Sequence, residues 1–91
     1  MYLHLGQNTV IRAEDVIGVF DLDTATVQKK TRDFLNRAEK EGKIRLVSDE
    51  LPKSFIVCKE KDKQVIYLSQ ISTATLKKRV QNYDRSIGLN G

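Results

Sequence analysis

A chain of 91 residues is long enough for one domain and too short to hold a deep enzymatic cleft as well as a core. It carries 16 basic and 12 acidic side chains, a net charge of +4, and its 40% hydrophobic content is typical of a globular protein. One cysteine excludes an intramolecular disulfide framework, and no apolar stretch is long enough for a transmembrane helix. The N-terminus lacks the features of a secretory signal, so we expect a cytoplasmic protein with no membrane contact.

The N-terminal part of the chain is typical of three β-strands. Residues 2–5 alternate between polar and apolar side chains, Gly6, Gln7 and Asn8 favour a turn, and residues 9–12 resume the extended pattern. This predicts an N-terminal hairpin. Residues 16–22 form a third strand with apolar side chains on both faces, which predicts a central strand covered on both sides.

A helix is predicted over residues 24–41, because apolar side chains recur there at helical spacing. Asp23 or Thr24 is expected to cap its N-terminus, and Gly42 is expected to end it in a left-handed conformation. Strands follow at residues 43–47, 54–58 and 65–69, and the alternating charges of residues 59–63 indicate a solvated hairpin tip.

The last predicted helix begins after Ser72, which is a natural N-cap, and a hydrophobic staple joins Ile71 to Leu76. Leu76, Val80 and Tyr83 form its apolar stripe, so these three side chains are expected to be buried. The order strand-strand-strand-helix-strand-strand-strand-helix predicts an α+β domain with a small, mostly antiparallel sheet and two helices. We expect one domain over residues 1–85 and a flexible tail over residues 86–91.

The residues suited to catalysis or metal binding are few and scattered. His4 has no Asp, Cys or second His at ligand spacing, so a structural or surface role is expected. Cys58 has no accompanying base and is predicted to be a buried apolar filler. Asp21 and Asp23 lie where a helix begins and are explained by capping. We therefore expect no enzymatic activity, no metal and no cofactor.

Positive charge is concentrated in the second half of the chain. Residues 1–41 carry six basic and seven acidic side chains, whereas residues 42–91 carry ten basic and five acidic ones. The run Lys77, Lys78 and Arg79 spreads about 200° around a helix, at about 100° per residue, so part of it must be exposed. Such cations either stabilise the C-terminal half of the helix through the backbone dipole or contact phosphates.

Several blocks taken together resemble the RemA/RemB family of small bacterial biofilm regulators, and within it the extracellular matrix regulator B branch. The blocks are residues 1–6 (MYLHLG), 15–21 (DVIGVFD), 52–57 (PKSFIV) and 72–79 (STATLKKR). The resemblance covers about residues 1–82. It implies a non-enzymatic, DNA-associated transcriptional regulator of matrix genes that forms a homo-oligomeric ring.

The resemblance implies that DNA contact in RemA-like sequences depends on an arginine before the third strand and an arginine pair in the loop before the next hairpin. These positions are Asp15, Glu50 and Leu51 here, and Lys53 is the remaining basic residue of the matched segment. The DNA-binding residues therefore do not carry over. Three interpretations remain: DNA binding through other cations, an interaction or structural module that has lost DNA binding, and hetero-association with a sister protein.

If the chain binds double-stranded DNA, the contacts must come from cations that an oligomer repeats. The candidates flank the arginine positions of the relatives, lie on the polar side of a strand, or belong to the last helix. They are Arg12, Arg45, Lys53, Lys77, Lys78 and Arg79.

Overall fold

The computed structural model describes the backbone of residues 1–90 and the side chains of residues 1–82. Its first element is the predicted hairpin of β1 (Tyr2–Gly6) and β2 (Thr9–Arg12), which form a two-stranded antiparallel sheet. Gly6 has a φ of 119°, a backbone conformation that favours glycine, and this allows the chain to reverse. The hairpin directs one apolar face inward, on which Leu3, Leu5 and Ile11 are buried.

A second, four-stranded sheet forms the centre of the molecule. Its strands are β3 (Val16–Asp21), β4 (Ile44–Leu46), β5 (Ser54–Glu60) and β6 (Lys63–Ser69). They lie in the order β3-β5-β6-β4, with antiparallel β3–β5 and β5–β6 pairs and a parallel β4–β6 pair. The predicted α+β class with mostly antiparallel pairing is confirmed.

The prediction that the third strand is central and covered on both sides is wrong. Among the strands of residues 1–90, β3 pairs with β5 alone and is an edge strand, and Ile17 is 64% exposed. β5 and β6 form a tight hairpin in the middle of the sheet, and the connection from β3 through two helices leads to β4 beside β6. β3 and β4 therefore lie at opposite edges. Apolar residues on both faces of β3 therefore indicate a surface that a single chain does not cover.

The helix predicted over residues 24–41 is two helices, α1 (Leu22–Ala25) and α2 (Lys29–Lys40). The predicted cap is also wrong, because the Asp21 side chain, rather than that of Asp23 or Thr24, accepts the Thr24 N–H at 3.0 Å. Gln28 is extended and breaks the helix, while Arg32 donates to the Thr26 and Val27 carbonyls at 2.7 and 2.9 Å. These hydrogen bonds give partners to two backbone carbonyls that the break leaves without an intrahelical donor.

The end of α2 and the beginning of α3 (Thr73–Asn90) follow the sequence prediction. Gly42 has a φ of 71° immediately after α2. The Ser72 hydroxyl accepts the Thr75 N–H at 3.2 Å and thereby caps α3, as predicted. No helix among the described residues is long and apolar enough to cross a membrane. The flexible tail over residues 86–91 stays a prediction.

The core has two parts, one on each face of the central sheet. On one face, the hairpin and α3 enclose a cluster that includes Leu5, Ile56 and Leu76. On the other face, α1 and α2 enclose a cluster around Phe55 and Ile66. Leu76 is fully buried, as predicted, whereas Val80 is only partly buried and the Tyr83 side chain lies outside the described residues.

Candidate nucleic-acid interface

One cavity of about 580 Å³ lies at the end of the sheet where β5 turns into β6. It collects charged and aromatic side chains from β1, β2, the turn before β3, and strands β4 to β6. The cations are Arg12, Arg45, Lys61 and Lys63; the acids are Asp15 and Glu60; the aromatic residues are Tyr2 and Tyr67. Cations outnumber acids, so the cavity attracts an anionic group.

Arg45 is the exposed cation of β4 and lies across from Tyr67 on β6. Its Nη1 donates to the Gly42 carbonyl at 2.8 Å and to the Ile44 carbonyl at 3.2 Å. These short-range contacts hold the guanidinium beside its own strand. Its planar group of five donors suits bidentate contact with a phosphate.

Arg12 is already engaged with a carboxylate. Its Nε and Nη2 donate to Glu14 Oε1 at 2.9 and 2.8 Å. The pKa of Glu14 is lowered, first by a backbone hydrogen bond at Glu14 and then by the hydrogen bond from Arg12. An exposed pair of this kind contributes little to stability, so a phosphate can compete for Arg12.

The cations of α3 have different surroundings, so the run does not act as one patch. Lys77 lines a cleft between α3 and β3, and, after a backbone hydrogen bond, its charge helps to lower the pKa of Asp21. Arg79 Nη1 donates to the His4 carbonyl at 2.7 Å and thereby ties α3 to β1. Lys78 is exposed. Lys77 and Lys78 therefore remain the better placed of the three for a phosphate.

The structure does not bring Lys53 to Arg12 and Arg45. The Lys53 N–H donates to the Ser69 carbonyl at 2.8 Å, and the Lys53 carbonyl accepts the Leu22 N–H at 2.9 Å. Lys53 thus precedes β5, whereas the cavity lies at the other end of that strand. Seven residues of strand separate the two ends by roughly 20 Å.

The three positions that depart from the family pattern are also split between the two ends of the sheet. Asp15 lines the cationic cavity. Glu50 and Leu51 belong to the loop before β5, where Leu51 is 87% exposed and the Glu50 N–H donates to Ser48 Oγ at 3.0 Å. Within one chain, these positions therefore do not form a continuous surface.

Sequence reasoning missed Lys61 and Lys63, which were interpreted as parts of a solvated hairpin tip. Lys61 and Asp62 have φ values of 49° and 68°, so the tip is a tight two-residue turn. This turn brings Lys61 and Lys63 to the end of the sheet that also carries Arg45. Alternating charge in the sequence marks the turn, but only the strand order shows what lies beside it.

Two polar side chains of β5 and β6, those of Cys58 and Tyr67, are unsuited to nucleophilic chemistry. Cys58 is fully buried, and its burial, with help from nearby Glu60 and Asp15, raises the pKa of the thiol to about 12. Burial and a 2.7 Å hydrogen bond from Tyr67 Oη to Glu60 Oε2 also raise the pKa of Tyr67. Within the part of the chain that the structure describes, no group of three His, Cys, Asp or Glu residues is arranged to hold a metal ion.

Cys58 is expected to resist a thiol reagent in the folded protein. At about pH 8 almost all of the buried thiol is protonated, and the thiolate is the reactive form. The measurement is the labelling rate in buffer compared with the rate in denaturant, where the thiol regains its ordinary pKa. Rapid stoichiometric labelling of the folded chain would contradict the burial of this residue.

Comparison with known proteins agrees with the resemblance seen in the sequence. Residues 2–80 match the family described as RemA-like, extracellular matrix regulatory protein A-like. The chain belongs to this family. It is also 36% identical to extracellular matrix regulatory protein B of Bacillus subtilis (strain 168) over 81 residues, which cover 89% of this chain and 91% of that protein. Membership of the RemA-like family supports a role in regulating the extracellular matrix of biofilms.

Proposed function

We propose that this chain is a non-enzymatic transcriptional regulator of matrix genes that acts in the cytoplasm as a homo-oligomer and binds double-stranded DNA. Membership of the RemA-like family supports the regulatory role. The observation that carries the DNA contact is the grouping of Arg12, Arg45, Lys61 and Lys63 around one cavity. Phosphate contacts supply most of the affinity of such proteins, and they need cations rather than a catalytic set.

Each subunit is expected to bind DNA weakly. Asp15 and Glu60 line the same cavity and repel phosphates, and Glu14 already occupies Arg12. An oligomer repeats the cavity on every subunit, and simultaneous contacts multiply into a higher overall affinity. Self-association is therefore part of the mechanism, and the exposed apolar residues on edge strand β3 support it.

A second candidate function is a protein-interaction module that has lost DNA binding. Asp15 and Glu50 carry negative charge at two of the three positions where the relatives are expected to carry arginine, and Leu51 is exposed at the third. Acidic and apolar side chains at these positions favour a protein partner over a phosphate backbone, including a sister protein in a hetero-oligomer.

The test is the binding of duplex DNA measured by fluorescence anisotropy from about 50 to about 200 mM salt. For wild type, the logarithm of the association constant should fall linearly with the logarithm of salt concentration. The variants Arg45→Gln and Lys63→Gln should each weaken binding and reduce the slope by about one unit per bound subunit. Lys40→Gln on α2 is the control, because it removes the same charge outside the cavity.

An oligomeric wild type that does not bind DNA at about 50 mM salt would support the interaction module instead. Equal losses for Lys40→Gln and the two cavity variants would show that net charge, and not this cavity, mediates binding. Lys53→Gln and Lys77→Gln extend the comparison to the other end of the sheet and to α3.

A further inference from the structure

The central sheet has two free edges. In the described residues 1–90, no strand pairs with the outer side of β3 or of β4. The Leu22 N–H donates to the Lys53 carbonyl at the end of the β3–β5 pair. In an antiparallel pair every second residue directs its N–H and C=O toward the partner strand. Those of Phe20 therefore point toward β5, and those of Val19 point away from the sheet.

The same alternation shows which backbone groups of β4 point away from the sheet. Lys43 and Val47 hydrogen bond to β6, through the Ile66 N–H to the Lys43 carbonyl and the Val47 N–H to the Leu68 carbonyl. The N–H and C=O of Ile44 and Leu46 therefore point away from the sheet. In the single chain, Arg45 Nη1 lies 3.2 Å from the Ile44 carbonyl at this edge.

The two edges run in the same direction. β3 and β6 are both antiparallel to β5, and β4 is parallel to β6. The β4 edge of one copy can therefore add to the β3 edge of the next copy only as a parallel strand, if the sheet is to continue. The contact joins two different surfaces, so each added copy again offers a free β4 edge and a free β3 edge to further copies, and the rotation between copies decides whether they close into a ring.

Apolar side chains match across these edges. Phe20 is 43% exposed and stacks on Phe55, with ring centroids 5.0 Å apart, on the face covered by α2. Leu46 is 71% exposed, and alternation places it on the same face as Ile44, which packs against the α2-side cluster. An apolar cavity of about 250 Å³, lined in part by Phe20 and Phe34, opens beside this position.

Charge is complementary at the N-terminal ends of the two edges. Glu14 and Asp15 precede β3, whereas Lys43 precedes β4 and Arg45 lies in it. Within the single chain Glu14 pairs with Arg12 at 2.8 Å and Lys43 pairs with Glu41 at 3.5 Å. Asp15 and Arg45 therefore supply the charges that favour the pairing of β3 with β4 over the pairing of either edge with itself.

We propose that copies of this chain assemble head to tail by parallel pairing of β4 with the neighbour's β3, with Ile44 opposite Gly18 and Leu46 opposite Phe20. In this register the Val19 N–H of one copy donates to the Ile44 carbonyl of the other, and the Leu46 N–H donates to the Val19 carbonyl. Leu46 then covers the Phe20 ring. The proposal rests on the self-association given in the proposed function and specifies the surfaces that mediate it.

The test uses two full-length variants, each with one blocked edge. Ile17→Lys places a charge on the β3 edge and Leu46→Lys places one on the β4 edge, which discourages strand addition. Both positions are exposed, so circular dichroism should remain close to that of wild type, and the thermal midpoint should fall only by the contribution of association. Light scattering should give an oligomer for wild type and the 10.4 kDa monomer for each variant alone.

Mixing the two variants is the decisive measurement. The Ile17→Lys chain keeps an intact β4 edge and the Leu46→Lys chain keeps an intact β3 edge, so an equimolar mixture should form a dimer of about twice the monomer mass and nothing larger. Val27→Lys, which charges an exposed apolar position outside both edges, should remain as oligomeric as wild type.

The outcomes separate the two proposals. A monomeric wild type would overturn the proposed self-association together with this interface. An oligomeric wild type whose edge variants remain fully assembled, or whose mixed variants remain monomeric, would overturn the edge pairing and leave self-association intact.

Discussion

Replacing Leu76 with alanine is expected to lower the free energy of unfolding by about 2–5 kcal/mol. Leu76 is fully buried in the cluster that joins the hairpin, the central sheet and α3. The substitution removes apolar contacts and leaves a cavity that the sheet on one side and the hairpin on the other cannot easily fill.

The measurement is urea denaturation of wild type and variant at the same protein concentration, because association also contributes to apparent stability. Lys78→Ala is the control, since it is an exposed position two residues later on the same helix. A loss below about 0.5 kcal/mol for Leu76→Ala would mean that α3 is not docked on the core, because that is the range of ordinary surface substitutions.

The double variant Glu50→Arg, Leu51→Arg is expected to bind duplex DNA at least about 10-fold more tightly than wild type at about 50 mM salt. It removes a repelling carboxylate and adds two cations on an exposed loop that an oligomer repeats. The slope of binding against salt should steepen by about two units per bound subunit if both arginines contact phosphates.

The control for this gain is the double variant Asn36→Arg, Glu39→Arg on the exposed side of α2, which changes the net charge by the same amount. A much smaller gain in the control assigns the effect to the loop position. Equal gains would instead attribute it to overall charge, and no gain in either variant would favour the interaction module.

Much of the local structure could be predicted because its causes are local. The alternation around Gly6 predicted the first hairpin, and the Ser72 hydroxyl predicted the beginning of α3. The break between α1 and α2 was missed because it depends on a competition between nearby hydrogen-bonding groups. The Asp21 side chain caps α1 earlier than expected, and Arg32 satisfies carbonyls at the break.

The candidate site could be predicted only in part. Arg12 was identified because it flanks an arginine position of the relatives and Arg45 because it lies on the polar side of its strand, and the structure places both at one cavity. Lys53 was grouped with them because it lies near a matched segment, yet it belongs to the opposite end of β5. Distance along the chain carries no information about which end of a sheet a residue occupies.

The sequence by itself determined the α+β class, the order of the strands along the chain and the family, because hydrophobic period, turn chemistry and short residue blocks are local properties. Only the tertiary structure decided which strand is central, since strand order depends on pairing between residues far apart. That pairing leaves β3 and β4 at the two edges and brings Arg12, Arg45, Lys61 and Lys63 to one cavity. A central strand that is covered on both faces and an edge strand with exposed apolar residues have the same apolar pattern in the sequence. Only the place of β3 in the sheet distinguishes them.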